Sequence, residues 1–230
     1  MVSTRRENVT NLTQVRREER DALLLTLREL GPTAPTLCSQ WAADDIAAHL
    51  VVSEQGWGLP MVTVYWLRRL LPLGAVRRGT RALQTVGDRK VQTAKRRGWE
   101  RLLYRLASGP PVPYRLRSVA SIRFVEEWIH HEDIRRANGC APRTDSPQVD
   151  EALWRAGLAL TAFREFRADR DGLELVLPDG RTHRLGTTTR ARIEGRPGEI
   201  LLFLAGRSAA DVRVDGEEAF LRELDRTRVV

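Results

Sequence analysis

The sequence predicts an α+β protein in which helices come first and a small strand–helix unit follows. Three observations carry this reading. Apolar residues recur at helical spacing through the first two-thirds of the 230 residues. After Arg167 the period shortens to alternation, as in Leu173-Glu174-Leu175-Val176-Leu177. Between that run and Thr182 to Leu185 stands Pro178-Asp179-Gly180, a hairpin turn signature. Helical runs followed by mixed units imply an antiparallel four-helix bundle over residues 1–168 and a small α+β domain over 169–230.

Taken in order, the first helix keeps Leu12, Val15, Leu23, Leu27 and Leu30 on one stripe and stops at Gly31-Pro32. A proline-bearing loop leads to Trp41. Asp44 and Asp45, favoured by the helix dipole in a first turn, open a second helix through His49 that ends near Gly56 or Gly58. An apolar, aromatic segment runs from Val62 to Leu71, and a helical pattern weakened by three glycines runs from Ala75 to Ala107. Gly109-Pro110-Pro111 breaks the chain; Ser118 to Ala137 is a helix closed by Asn138-Gly139. Pro142 to Pro147 is a linker, and Val149 to Arg167 another amphipathic helix. Beyond the hairpin come a strand at Ala191 to Glu194, a helix at Pro197 to Leu204, a strand at Val212 to Val214 and a last helix at Glu217 to Leu224.

Composition narrows the function classes. With 42% hydrophobic and 30% charged residues the chain reads as globular, and no apolar run reaches the ~18–20 residues of a membrane span. Two cysteines, Cys38 and Cys140, exclude a disulfide framework and a four-cysteine zinc site, so a reducing cytoplasm is the expected compartment. The net charge of +8 is almost all arginine, since only Lys90 and Lys95 are lysines. The excess is local: Arg68 to Arg105 carries twelve basic residues against Asp88 and Glu100. Such a stripe reads as a solvated helix face or as a surface for an anionic partner. No helix-turn-helix, ribonucleoprotein motif or phosphate loop accompanies it, which argues against nucleic acid.

The chain has four histidines, His49, His130, His131 and His183. In Val125-Glu126-Glu127-Trp128-Ile129-His130-His131, helical spacing puts Glu126 and His130 on one face. Glu127 and His131 form a second pair rotated by about 100°, which leaves His131 outside the first constellation. His49, on another helix, can add a third ligand across a bundle. Two histidines and a carboxylate suit a divalent first-row ion and leave positions open for substrate. Spacing alone also allows a core histidine bonded to Asp45 and a solvated His130–His131 face. Asp45, one turn before His49, and Asp133, three residues after His130, can each accept a ring N–H and set the tautomer; Asp45 can equally serve the helix N-terminus. Trp41 and Trp128 read as packing residues, Cys38 and Cys140 as loop residues, and His183 as exposed.

Two segments carry a resemblance. Trp41-Ala42-Ala43-Asp44-Asp45-Ile46-Ala47-Ala48-His49-Leu50 resembles the Trp-x-x-x-Asp-Leu-x-x-His-Leu segment of DinB-like proteins in the mycothiol-dependent maleylpyruvate isomerase family. Arg123-Phe124-Val125-Glu126-Glu127-Trp128-Ile129-His130-His131-Glu132-Asp133 resembles the family's Arg-x-x-Glu-x-Trp-x-His-x-x-Asp. The tail, with Pro197-Gly198-Glu199 and Gly206-Arg207, is similar to the family's sterol-carrier-protein-like domain. The resemblance implies a DinB-like bundle and metal ligation, usually of zinc, by His49, Glu126 and His130. It also implies a contribution from the C-terminal domain to the site, for which Arg207 is the candidate catalytic residue. Details such as His130-His131-Glu132-Asp133-Ile134-Arg135-Arg136 resemble an actinobacterial branch known only as metal-binding proteins, so the isomerase's own substrate is not carried over.

The expected function is therefore a zinc-dependent enzyme that activates a mycothiol-like thiol toward an electrophilic small molecule, with arginines holding an anionic substrate. A metal-binding protein without catalysis and a basic nucleic-acid-associated factor are the alternatives. No membrane partner is expected.

Overall fold

The computed structural model describes residues 2–38, 40–57, 85–110, 117–164 and 172–228. The segment expected from Val62 to Leu71, the start of the basic stripe and the boundary expected at 168 lie outside them. Within the described residues the protein is helical, with one small four-stranded sheet.

Helix α1 (Val2–Leu30) begins earlier than its apolar stripe. The loop after it folds back on itself, with the Ala43 N–H donating to the Ala34 carbonyl at 2.9 Å. Helix α2 (Ala43–Val52) runs on into a π-helical turn, Ser53–Trp57. Residues 85–95 form α3, and α4 spans Trp99–Ser108. The single helical run expected from Ala75 to Ala107 is thus interrupted, because Gly98 at φ +94° adopts a backbone conformation that is easy only for glycine. Helix α5 (Arg117–Ala137) is followed by Gly139 at φ +80°, and α6 (Pro147–Arg164) starts on a proline, whose missing N–H is no loss there.

Strands β1 (Leu173–Val176), β2 (Thr182–Leu185), β3 (Ala191–Glu194) and β4 (Arg213–Gly216) form a sheet in the order β2-β1-β3-β4. The β1–β2 hairpin is antiparallel, with Leu173 opposite Leu185; β1 and β3 are parallel, and β3 and β4 antiparallel. Helix α7 (Pro197–Leu204) links β3 to β4, and α8 (Glu218–Arg228) ends the described chain.

Alternation dictates which strand face is buried: Leu173, Leu175, Ala191 and Ile193 point inward against Phe203 of α7, Phe220 of α8 and Trp154 of α6. A second core joins α1, α2, α4 and α5 through Leu27, Ile46, Leu106 and Ile134. A third cluster is the seam, where Phe124 and Trp128 of α5 and Leu153 of α6 meet Leu201 and Leu202 of α7. There Gly198 lies so close to the Trp128 indole that an added Cβ would come within 2.3 Å of it. Arg136 crosses the same seam, donating to both Glu132 and Glu199. Helix α5 therefore has α2 on one flank and α7 on another.

Candidate metal centre

The helical spacing of Glu126 and His130 on α5 brings both to the face opposite His49 of α2. One ligand atom from each of His49, Glu126 and His130 lies within 4.8 Å of the other two. His49 Nε2 is 2.9 Å from Glu126 Oε1, and the Ser53 hydroxyl donates to Glu126 Oε2 at 2.9 Å. Ser53 reaches that oxygen from the π-helical turn that continues α2, a distortion often found at functional sites. The His49 and Glu126 side chains keep 30% and 29% of their surface exposed, so the group has an open side.

His130 is held from behind. Its Nδ1 is 3.0 Å from Asp133 Oδ2, and the Asp133 side chain is fully buried. Arg207, from the loop after α7, forks onto both Asp133 oxygens at 2.9 and 2.7 Å. It also donates to the Ala205 carbonyl and, at 2.9 Å, to Cys38 Sγ. The Cys38 thiol in turn donates to Asp133 Oδ2 at 3.1 Å. The Trp41 ring, 5.2 Å from that of His49 and 6.1 Å from that of His130, walls the group on the side of the loop.

Burial would raise the Glu126 carboxyl, but the His49 hydrogen bond, the neighbouring His49 and His130 rings and the Ser53 hydroxyl hold it down to about 2. Burial works against the Asp133 carboxylate too, and His130 and Arg207 overcome it, keeping Asp133 ionised. Burial is the largest effect on His130 and pushes its pKa down against Asp133, which leaves a neutral ring with a free electron pair. Cys38 goes the other way: burial and the Asp133 charge lift its thiol to about 12 despite Arg207. That environment favours the protonated thiol over the thiolate.

Several expectations are corrected here. Asp45 does not orient His49: one of its oxygens accepts the Ala42 N–H at 3.0 Å and the other faces Lys95, so it caps α2 and anchors α3. Cys38, expected away from the site, touches Asp133 and Arg207. Trp41 borders the group as well as packing. His131 is not a solvated residue; it is 2% exposed and bonded to Glu19 at 2.7 Å and Thr26 at 2.9 Å. His183 is half-buried in β2. Arg207 does reach the site, where it bonds to Asp133, Cys38 and the Ala205 carbonyl. Ser53 and Cys38 carried no local signal, since nothing in their sequence neighbourhoods shows which helix they face. Cys38, Asp133 and His130 form a second trio with ligand atoms within 4.8 Å. The Arg207 guanidinium already supplies the positive charge there.

Among solved structures, the chain is similar to the crystal structure of the mycothiol-dependent maleylpyruvate isomerase, with TM-score 0.48 and 16% identity over 91% of this chain and 94% of that one. It is similar to a histidine-to-alanine mutant of that enzyme at TM-score 0.48 and 17% identity, over the same shares. Both are distant likenesses at the level of the fold. No family model matches the chain, and no curated protein sequence does.

Proposed function

We propose that the chain is a metal-dependent enzyme of the mycothiol-dependent maleylpyruvate isomerase family. In this reading residues 1–168 are a DinB-like antiparallel four-helix bundle, and 169–230 a sterol-carrier-protein-like domain. His49, Glu126 and His130 hold one divalent ion, with zinc favoured by two imidazoles and a carboxylate. The cosubstrate is a low-molecular-weight thiol such as mycothiol, transferred to an electrophilic small molecule or used to isomerise it.

The observation that carries this reading is the convergence of three ligand atoms, from helices 77 positions apart in sequence, on one partly open side. A bound ion of this kind lowers the pKa of a coordinated thiol and supplies thiolate at neutral pH. The protein's own groups provide the setting. Ser53 fixes one Glu126 oxygen and leaves the other toward His49. Asp133 takes the Nδ1 side of His130 and so directs Nε2 into the group. Arg207 acts through Asp133, as a positioning residue. Trp41 excludes water from one side.

Elemental analysis of the purified protein, followed by assays of thiol depletion with a panel of electrophiles, tests the proposal. The expected result is about one zinc per chain, as a single set of three protein ligands requires, and thiol consumption that a chelator stops. Metal without thiol consumption would instead support a metal-binding protein. A metal-free protein that still transfers thiol would overturn the assignment.

A further inference from the structure

Lys90, Arg97, Arg101 and Arg105 of the basic stripe share a destination that the metal centre does not use. A cavity of about 250 Å³ opens between α2, α3 and α4, and its walls include none of His49, Glu126 and His130. Val51 and Leu102 lie at its floor, while exposed Lys90, Arg97, Arg101 and Arg105 stand around its rim. We propose that this cavity binds a small organic anion, a carboxylate or phosphate monoester attached to an apolar group.

Arg20, Arg136, Arg143 and Arg207 are each matched by carboxylates. No carboxylate among the described residues pairs with Arg97, Arg101 or Arg105. Arg101 and Arg105 are one helical turn apart, a like-charge arrangement that opposes folding and is offset when an anion lies between them. Guanidinium groups present a planar fork that fits a carboxylate or phosphate. The turn at Gly98 brings Arg97 and Lys90 from the α3 side to face the α4 arginines. The apolar floor asks for more than bare charge. The small volume, below the usual ~300–1,000 Å³ of ligand pockets, favours a compact molecule over a nucleic-acid backbone. The site is independent of the metal reading above.

Calorimetric titration of the full chain with phenyl phosphate, inorganic phosphate and phenol tests it. Phenyl phosphate is expected to saturate one site, more tightly than inorganic phosphate, with affinity falling as salt rises; phenol is expected not to bind. Arg101→Glu and Arg97→Glu are surface changes and should each weaken phenyl phosphate about ten-fold or more, the scale of a lost charged hydrogen bond. Arg192→Glu, on the exposed face of β3, should leave binding unchanged, and metal content should be the same in all variants. Absence of saturable phenyl phosphate binding would overturn the proposal, as would equal loss in Arg192→Glu. Tighter, arginine-dependent binding of a short oligonucleotide would also overturn it.

Discussion

His130 and His131 are neighbours on one helix, yet they belong to opposite kinds of environment. His130 faces α2, joins His49 and Glu126, and shares an open side with them. His131, rotated by about 100°, is enclosed: Glu19 and Thr26 of α1 take both ring nitrogens, and Arg143 completes the pair with Glu19 at 2.9 Å. The first set is partly solvated on its open side, which suits ligand exchange. The second is saturated and buried, which suits the joining of α1 to α5. A charged residue's role here follows from whether its partners close around it, and not from its type.

The sharpest way to break the comparison is to remove each histidine in turn. His49→Ala and His130→Ala are each expected to abolish bound zinc and thiol turnover while circular dichroism and melting stay near wild type, because the apolar cores do not depend on the ion. Retained metal in either variant would remove that residue from the ligand set. Asp133→Asn comes next, with an expected loss of about 10–100-fold in metal affinity or activity as His130 loses its anionic partner; an unchanged affinity would show that the Asp133 contact to His130 is incidental.

His131→Ala should do the reverse. Chemical denaturation is expected to show a loss of about 1–3 kcal/mol, from leaving Glu19 and Thr26 short of a buried partner. Metal content should be unchanged, and a metal-free but stable variant would contradict the division between the two faces.

Acid sharpens the same contrast. Glu126 ionises at about 2 in the folded protein against an ordinary value of 4.5. A depressed carboxyl contributes stability that is complete above its unfolded pKa and lost as pH falls through the folded one. Apo-protein stability should therefore decline between about pH 4.5 and 2, and Glu126→Gln should flatten part of that decline; an identical pH profile would argue against the His49 contact. The smallest effect is expected for Asp45→Asn, about 0.5–1 kcal/mol in stability from a weakened helix start, with no change in metal affinity. A loss of affinity there would restore Asp45 to the site.

Local sequence determined much of this. Helical and alternating periods mark α1, α2, α5 and α6 and the strands of the sheet, because they report which face each element buries. Pro178-Asp179-Gly180 marks the hairpin, and the i, i+4 spacing pairs Glu126 with His130 whatever the rest of the chain does. The Gly98 break was less legible, since one glycine in a helical pattern ends a helix only when the packing on either side asks for a turn.

Tertiary structure alone decided the partners. Arg207 and Cys38 are 169 positions apart and touch only because α7 closes on α5 at Gly198 and Trp128. Asp45 turned to Lys95 because α3 packs beside α2, and His131 became buried because α1 covers its side of α5. Backbone preference and periodicity act over a few residues and can be read along the chain. A side chain's hydrogen-bond partner depends on the register and angle at which distant elements pack, and that is written in no single stretch of sequence.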